Sequence, residues 1–316
     1  MSTEMKYTWM DGEMVEVGKA NVSFLTPALH YGAAVFEGIR AYSTQKGPAI
    51  FRLREHAERL LDSALVLGFR DLPWTAEQVA VACKKVVKAN CFDSCYIRPL
   101  IYWGGQVSGL NMNNAKPCLG IAAWEWTNYL GEEALAKGIR ANVSSFTRHQ
   151  PNVMMTKAKI AGNYANSILA KTESVRLGFD EAIMLDPQGY VAECSGENLF
   201  VVRRNKIITP PLAAVLEGIT RDSIIKIADD LGYEVVELPI SRDQLYIADE
   251  VFICGTAAEC IALREIDFRT IGDGQAGPVT RSIQKVFYEL IKGTLPQYEG
   301  WLDYVTLDID IPQLVE

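Results

Sequence analysis

Lys159 and Glu193 are the residues whose chemistry stands out first. A lysine amine can condense with a carbonyl carbon, and a carboxylate can hold a pyridine nitrogen protonated. Lys159 lies in Thr156-Lys157-Ala-Lys159-Ile-Ala-Gly-Asn-Tyr164, where Lys157 and Lys159 share one side of an extended segment. Solvated surface amines are the ordinary reading of both. Lys159 is favoured by its company: small residues that give close backbone access, then Tyr164, whose phenol could hydrogen-bond a ring oxygen. A buried amine loses its charge readily and becomes nucleophilic. Glu193 falls at a strand end within Glu193-Cys-Ser-Gly-Glu-Asn198, and Glu193 and Glu197 bracket small residues. The plain alternative is a pair of surface carboxylates on a connection.

A phosphate would need amides and a cation. Leu216-Glu-Gly218-Ile219-Thr220-Arg221 sets a glycine turn just before a helix, so free amides and the positive dipole end meet at one point. Gly255-Thr256-Ala257-Ala258 follows a buried strand and could expose a second set of amides. Arg59 could supply the cation, or could form an ordinary helix pair with Glu55. A tethering lysine, a ring-nitrogen carboxylate and a phosphate cradle are the groups that pyridoxal phosphate requires.

The elements that must position these residues follow from pattern. Tyr7 to Val15 reads as a hairpin turning at Asp11-Gly12. Strands are expected at 34–42, 49–53, 94–103 and 118–126, with helices over 54–67 and 76–90, the second opening on the capping box Thr75-Ala-Glu-Gln78. Polar, turn-forming residues at 128–134 mark an interdomain loop. Beyond it come strands near 139–146, 181–186, 189–193, 198–203, 206–209 and 251–254, and helices over 164–177, 221–231, 241–247 and 278–292. The expected architecture is α+β (α/β, two-domain): a small N-terminal α/β domain over 1–127 and a larger C-terminal domain over 135–316 carrying Lys159. The acidic tail after Tyr304 is expected to add little to the core.

Composition narrows the class. A net charge of −8 offers no basic face for nucleic acid or an anionic membrane. The seven cysteines lack CxxC spacing and read as reduced thiols, and the three histidines lie too far apart for a metal site. No apolar segment suggests a leader or a membrane span, so the cytoplasm is the expected compartment.

The run Glu193-x-Ser-x-x-Asn198-Leu-Phe, then Ile207-Ile-Thr209, then Leu216-Glu-Gly218-Ile-Thr-Arg221 resembles the class IV aminotransferase signature in residue type and in every gap. Tyr31-Gly-Ala-Ala-Val-Phe36-Glu-Gly38-Ile-Arg40, Tyr96-Ile-Arg98-Pro, Gly255-Thr-Ala-Ala-Glu259 and Gly277-Pro-Val-Thr280 extend the likeness to the branched-chain amino acid aminotransferases, over about residues 7–304. The resemblance implies the fold type IV architecture, with the cofactor at the domain interface. It implies Lys159 as the Schiff-base lysine, Glu193 as partner of the pyridine nitrogen and Tyr164 as ligand of the phenolic oxygen. Arg59, Ile219, Thr220 and Thr256 would hold the phosphate, with Asn198, Leu216 and Gly218 completing the cofactor site. The substrate pocket would map onto Phe36, Gly38, Tyr96, Arg98, Trp126, Tyr129, Thr256 and Ala257. Tyr31 and Leu110 would reach across from a neighbouring subunit of a homodimer, with a hexamer as the larger assembly.

The implied activity is ping-pong transamination of leucine, isoleucine and valine with 2-oxoglutarate, within branched-chain amino acid biosynthesis, and the partners are small amino acids and 2-oxo acids. Aromatic walls suit branched side chains, and Arg98 with the tyrosine hydroxyls could meet a γ-carboxylate. Core packing is the alternative role for those aromatics. Ser108 stands where bacterial relatives often carry a bulky apolar residue, and Ala161 replaces a frequent glycine. Competing readings are a D-amino acid or amine transaminase, an aminodeoxychorismate lyase, and a non-catalytic binding module.

Overall fold

The structure, a computed structural model, describes residues 5–105, 109–113, 115–126, 135 and 137–306. Its contacts divide the chain into two units. The first comprises Met1–Thr127, Ala158–Asn163 and Leu290–Glu316, and the second Asn128–Lys157 and Tyr164–Glu289.

In the first unit, β1 (Tyr7–Met10) and β2 (Glu13–Glu16) meet at Asp11-Gly12. Both turn residues have positive φ, 49° and 114°, as a primed hairpin turn requires. Then come α1 (Pro27–Tyr31), β3 (Ala34–Phe36), β4 (Ile39–Thr44), β5 (Gly47–Phe51), α2 (Leu53–Val66), α3 (Ala76–Ala89), β6 (Cys95–Gly104) and β7 (Lys116–Trp124). The Thr75–Gln78 capping box forms as expected. With β17 (Leu302–Tyr304), the strands order as β17-β5-β4-β6-β7-β1-β2, and β3 also lies beside β6. Ile39, Ile97, Ile101, Leu119 and Ile121 from the sheet share a core with Leu53, Leu60, Val79 and Val86 from the helices. Each such side chain contributes about 1.5–3 kcal/mol by leaving water.

The strand expected over 34–42 is two strands, broken at Glu37-Gly38. Glu37 is fully buried, and a carboxylate there needs partners that a ladder position would deny it. At Gly38 a Cβ would stand 1.9 Å from the Tyr96 hydroxyl, so glycine leaves room for that phenol.

The segment 158–163 groups with the first unit and not with the C-terminal domain to which the sequence reading gave it. The Phe36 amide donates to the Lys159 carbonyl at 3.0 Å, and the Gly162 amide to the Gly32 carbonyl at 3.2 Å. Val35 and Ile160 form an antiparallel bridge. Gly32 (φ 64°) and Gly162 pack so closely that a Cβ on Gly32 would lie 2.7 Å from the Gly162 Cα. Residues 290–306 also return to this unit, because β17 pairs with β5.

The second unit contains β8 (Ile139–Val143), α4 (Tyr164–Arg176), β9 (Glu181–Leu185), β10 (Val191–Cys194), β11 (Asn198–Arg203), β12 (Lys206–Thr209), α5 (Ile219–Asp230), β13 (Glu234–Glu237), α6 (Arg242–Tyr246), β14 (Glu250–Gly255), β15 (Glu259–Ile266), β16 (Arg269–Thr270) and α7 (Pro278–Leu290). Its sheet orders as β10-β9-β8-β15-β14-β11-β12-β13, with β16 beside β15. The β8–β9, β8–β15 and β12–β13 pairs are parallel and the others antiparallel. β13 and β15 were not anticipated. β15 begins at Glu259 in the left-handed region, φ 60°, where side-chain pattern signals a turn and hides a strand start. All seven cysteines are free thiols.

Candidate active site

Each unit carries some of the residues expected to form a site. In the first, α2 presents His56, Arg59 and Ser63 at helical spacing on one face. Arg59 grips Glu37 with two parallel bonds, Nε to Oε1 at 2.7 Å and Nη2 to Oε2 at 2.9 Å. The expected Glu55–Arg59 alternative does not form, because Glu55 pairs with Arg52. His56 Nδ1 lies 2.8 Å from Glu37 Oε2. Burial alone would push the Glu37 carboxyl up, but the charge of Arg59 and then His56 hold it below the usual carboxylate range. His56 is held below its ordinary value, by burial first, against the pull of Glu37 and with Arg59 and Lys159 adding. The imidazole is therefore neutral near pH 7, and its Nδ1–H donates to Glu37. The network fixes the plane of the Arg59 guanidinium.

Ser63 Oγ accepts the Lys159 amide at 3.0 Å. Lys159 is half-buried, with Nζ 5.1 Å from the centre of the Phe36 ring. Lys157 groups with the second unit and is otherwise engaged. Its ammonium pairs with Glu217 at 3.1 Å and donates to the Leu212 carbonyl, on an exposed side chain. Alternation sends the two lysines to different duties.

Phe36, Tyr96, Trp124 and Trp126 gather around Arg98. The guanidinium carbon lies 4.6 Å from the Phe36 centroid, 5.3 Å from Tyr96 and 5.8 Å from Trp124. Tyr96 and Trp126 are 5.0 Å apart, centre to centre. Arg98 Nη2 donates to the Tyr96 hydroxyl at 3.3 Å, while its buried Nε has no partner among the described residues. A buried guanidinium N–H without a partner is suited to an incoming carboxylate. Tyr31 and Leu110 are exposed. Tyr129 and Ser108 lie outside the described residues.

In the second unit Glu193 sits just past an irregularity in the β9–β10 ladder, which re-aims its side chain. It is buried, and Oε1 lies 2.7 Å from Arg148 Nε. Oε2 accepts from the Leu216 amide at 3.3 Å and Asn198 Nδ2 at 3.4 Å. Asn198 also donates to the Leu216 carbonyl at 3.2 Å. A Cβ on Gly218 would fall 1.9 Å from Asn198 Oδ1. Asn198 thus staples the Leu216–Gly218 turn to its strand.

The helix after that turn begins at Ile219, two residues earlier than its apolar pattern indicates, with Gly218 as N-cap. Its first internal bond runs from the Asp222 amide to the Gly218 carbonyl at 2.9 Å, so the amides of Ile219, Thr220 and Arg221 belong to the unbonded first turn. Thr256 and Ala257 follow β14 in the connection to β15, and Tyr164, half-buried, opens α4. These donors fit a phosphate, and the anchored Glu193 carboxylate fits a protonated ring nitrogen. Among the described residues no cluster of His, Cys, Asp or Glu could hold a metal ion.

The model of the amino-transferase class IV family matches residues 34–266, a span holding Phe36, Arg59, Lys159, Glu193, Gly218 and Thr256. The chain belongs to this family. Its curated relatives include branched-chain-amino-acid aminotransferases of Pseudomonas aeruginosa and Escherichia coli K12, both 47% identical. They align over 93% and 95% of this chain and 95% and 97% of their own. Among solved structures, the T.th. branched-chain amino acid aminotransferase with pyridoxamine 5'-phosphate is similar at TM-score 0.93 and 52% identity, over 96% of this chain and 99% of that one. The resemblance read from the motifs therefore extends over nearly the whole length of these relatives.

Sequence reasoning missed Glu37, His56, Ser63 and Arg148. An acid between Phe36 and Gly38 and the three-residue step from His56 to Arg59 were available signals for two of them. Ser63, four residues past Arg59, shares that helical face, whereas Arg148 had no such signal, since it reaches Glu193 through a tertiary contact alone.

Proposed function

We propose that this family member transaminates L-leucine, L-isoleucine and L-valine with 2-oxoglutarate, by a ping-pong exchange on pyridoxal phosphate. The observation that carries the substrate reading is Arg98 inside an aromatic box. Apolar ring faces take a branched side chain, and the buried Nε–H with the Tyr96 hydroxyl donates to the γ-carboxylate of glutamate. One site then serves both partners.

Pyridoxal phosphate, when bound, supplies the electron sink that lets a proton leave the substrate α-carbon. Lys159 Nζ would tether the cofactor, and its amine would carry the proton that leaves the substrate α-carbon. Glu193 holds a proton on the ring nitrogen, with Arg148 and the Leu216 amide keeping its carboxylate in place. Tyr164 donates to the ring oxygen. Arg59, Thr256 and the amides of Ile219 and Thr220 hold the phosphate, and Asn198 and Gly218 shape the turn. Thr256, Ala257 and Tyr129 complete the substrate side.

The active unit is proposed to be at least a homodimer. Phe24, Leu29 and Tyr31, exposed at 78%, 60% and 49%, support an interface around α1 that brings Tyr31 and Leu110 to a neighbour's site. Among the described residues no helix is long and apolar enough to cross a membrane, and the cytoplasm is the compartment proposed.

The test is a donor panel of L-leucine, L-isoleucine, L-valine, D-alanine and 1-phenylethylamine with 2-oxoglutarate. Branched L-amino acids should lead, and preference for D-alanine or the amine would overturn the substrate reading. Arg98→Ala should lower kcat/KM for glutamate by about 10–100-fold, the worth of a hydrogen bond to a charged group, and for leucine far less. Equal losses would show that Arg98 does not read the γ-carboxylate.

A further inference from the structure

Around the turn that joins Glu193 to Asn198 lies a set of buried charges that the proposed chemistry does not use. Glu181, at the start of β9, is wholly buried. Its Oε1 accepts the amides of Ala182 at 2.8 Å and Ser195 at 3.2 Å, and its Oε2 pairs with Lys171 of α4. Glu197, 6% exposed, closes the turn: its carbonyl accepts the Cys194 amide at 2.7 Å, and its Oε2 the Gly196 amide at 3.1 Å. The groups acting on its carboxyl are Glu181 from β9, Lys171 from α4, and Glu193 and Cys194 from β10, with the Cys254 thiol on β14.

Among the described residues, three buried carboxylates, Glu181, Glu193 and Glu197, thus face two cations, Lys171 and Arg148. One acid is left without a countercharge, and a proton is the cheapest compensation. Glu193 has Arg148, and Glu181 has Lys171 with two amides. Glu197 has a single backbone donor.

Resting on the proposed role of Glu193, we infer that Glu197 is a positioning residue: it keeps a proton at neutral pH so that the Cys194–Glu197 turn holds Glu193 and Asn198 in register for the cofactor. Burial, then the charge of Glu181, pushes its carboxyl up to about 8, with Lys171 and the Gly196 amide opposing and Glu193 adding. Ionisation puts a third carboxylate beside the other two, and the turn that carries both cofactor-facing residues loosens. The folded value of about 8 exceeds the ordinary 4.5, so the stability Glu197 lends is complete below 4.5 and is lost as pH rises through 8.

Wild type, Glu197→Gln and Glu181→Gln should be melted as apoproteins from about pH 6 to about pH 10, and pyridoxal phosphate release followed by absorbance across the same range. The wild-type melting temperature should fall as pH rises to about 8 and level off above it, and the dissociation constant should rise above about pH 8 by up to about tenfold per unit, the limit for one proton. Glu197→Gln, which cannot ionise, should flatten both curves relative to wild type. Glu181→Gln frees Lys171 for Glu197 and should move the onset to lower pH. Parallel curves for wild type and Glu197→Gln would overturn the inference, as would an unmoved onset in Glu181→Gln. Should wild type fail to bind pyridoxal phosphate at any pH, the functional reading falls, while apoprotein melting still decides whether Glu197 is the titrating group.

Discussion

Glu37 in the first unit and Glu197 in the second are both buried, yet their carboxyls move in opposite directions. Burial pushes both up. Glu37 has a bidentate arginine and a histidine N–H, so it stays charged and holds Arg59 rigid. Glu197 has other acids for company and keeps its proton. Burial sets the size of the stake, and the nearest formal charge decides the outcome. On the proposed function, the first unit would offer a fixed cation for a phosphate, and the second a carboxylate for a ring nitrogen. Both jobs need a buried acid, in opposite electrostatic surroundings.

That contrast can be broken at several points. Lys159→Ala should abolish turnover, by about 10⁴-fold or more, without moving the melting temperature of the apoprotein. Borohydride reduction of the holoenzyme with peptide mapping should mark Lys159; a mark on Lys157 would reassign the tether to the unit where Lys157 is now ion-paired. Glu37→Ala should cost about 3–5 kcal/mol in urea unfolding, because it strands half-buried Arg59 and buried His56. Its pH dependence has the sign opposite to that of Glu197. Glu37 is depressed, so its contribution is present above the ordinary 4.5 and fades as pH falls below it. A loss on the alkaline side instead would erase the distinction between the two acids. Lys157→Ala should change stability by under about 0.5 kcal/mol and leave turnover intact, since its partner Glu217 is solvated.

Local spacing made much of this legible. Glu193, Asn198 and Gly218 lie within one stretch whose gaps are set by a strand, a turn and a helix start, and the structure shows why: Asn198 bonds to both sides of the turn. The capping box, the Asp11-Gly12 hairpin and most helices also follow from neighbours in sequence. What eluded the sequence was carried by long-range contact. Glu37 looked like a strand residue because its partners lie on α2. Arg148 reaches Glu193 from a segment with no periodicity of its own. The grouping of 158–163 with the first unit depends on amides meeting carbonyls near Gly32 and Phe36, which no side-chain pattern records.

The close packing of Gly32 on Gly162 has a consequence for how such a chain can change over time. The backbone bonds at Phe36 and Gly32 give Lys159 an address defined by its register against β3, independent of the number of residues between them. Intervening loops can lengthen or shorten while the amine stays in place. A slip of a single residue within 158–163 would turn the amine to the opposite face. Changes of length should therefore be confined to the loops between the two glycines, and the glycines themselves should be the last to move.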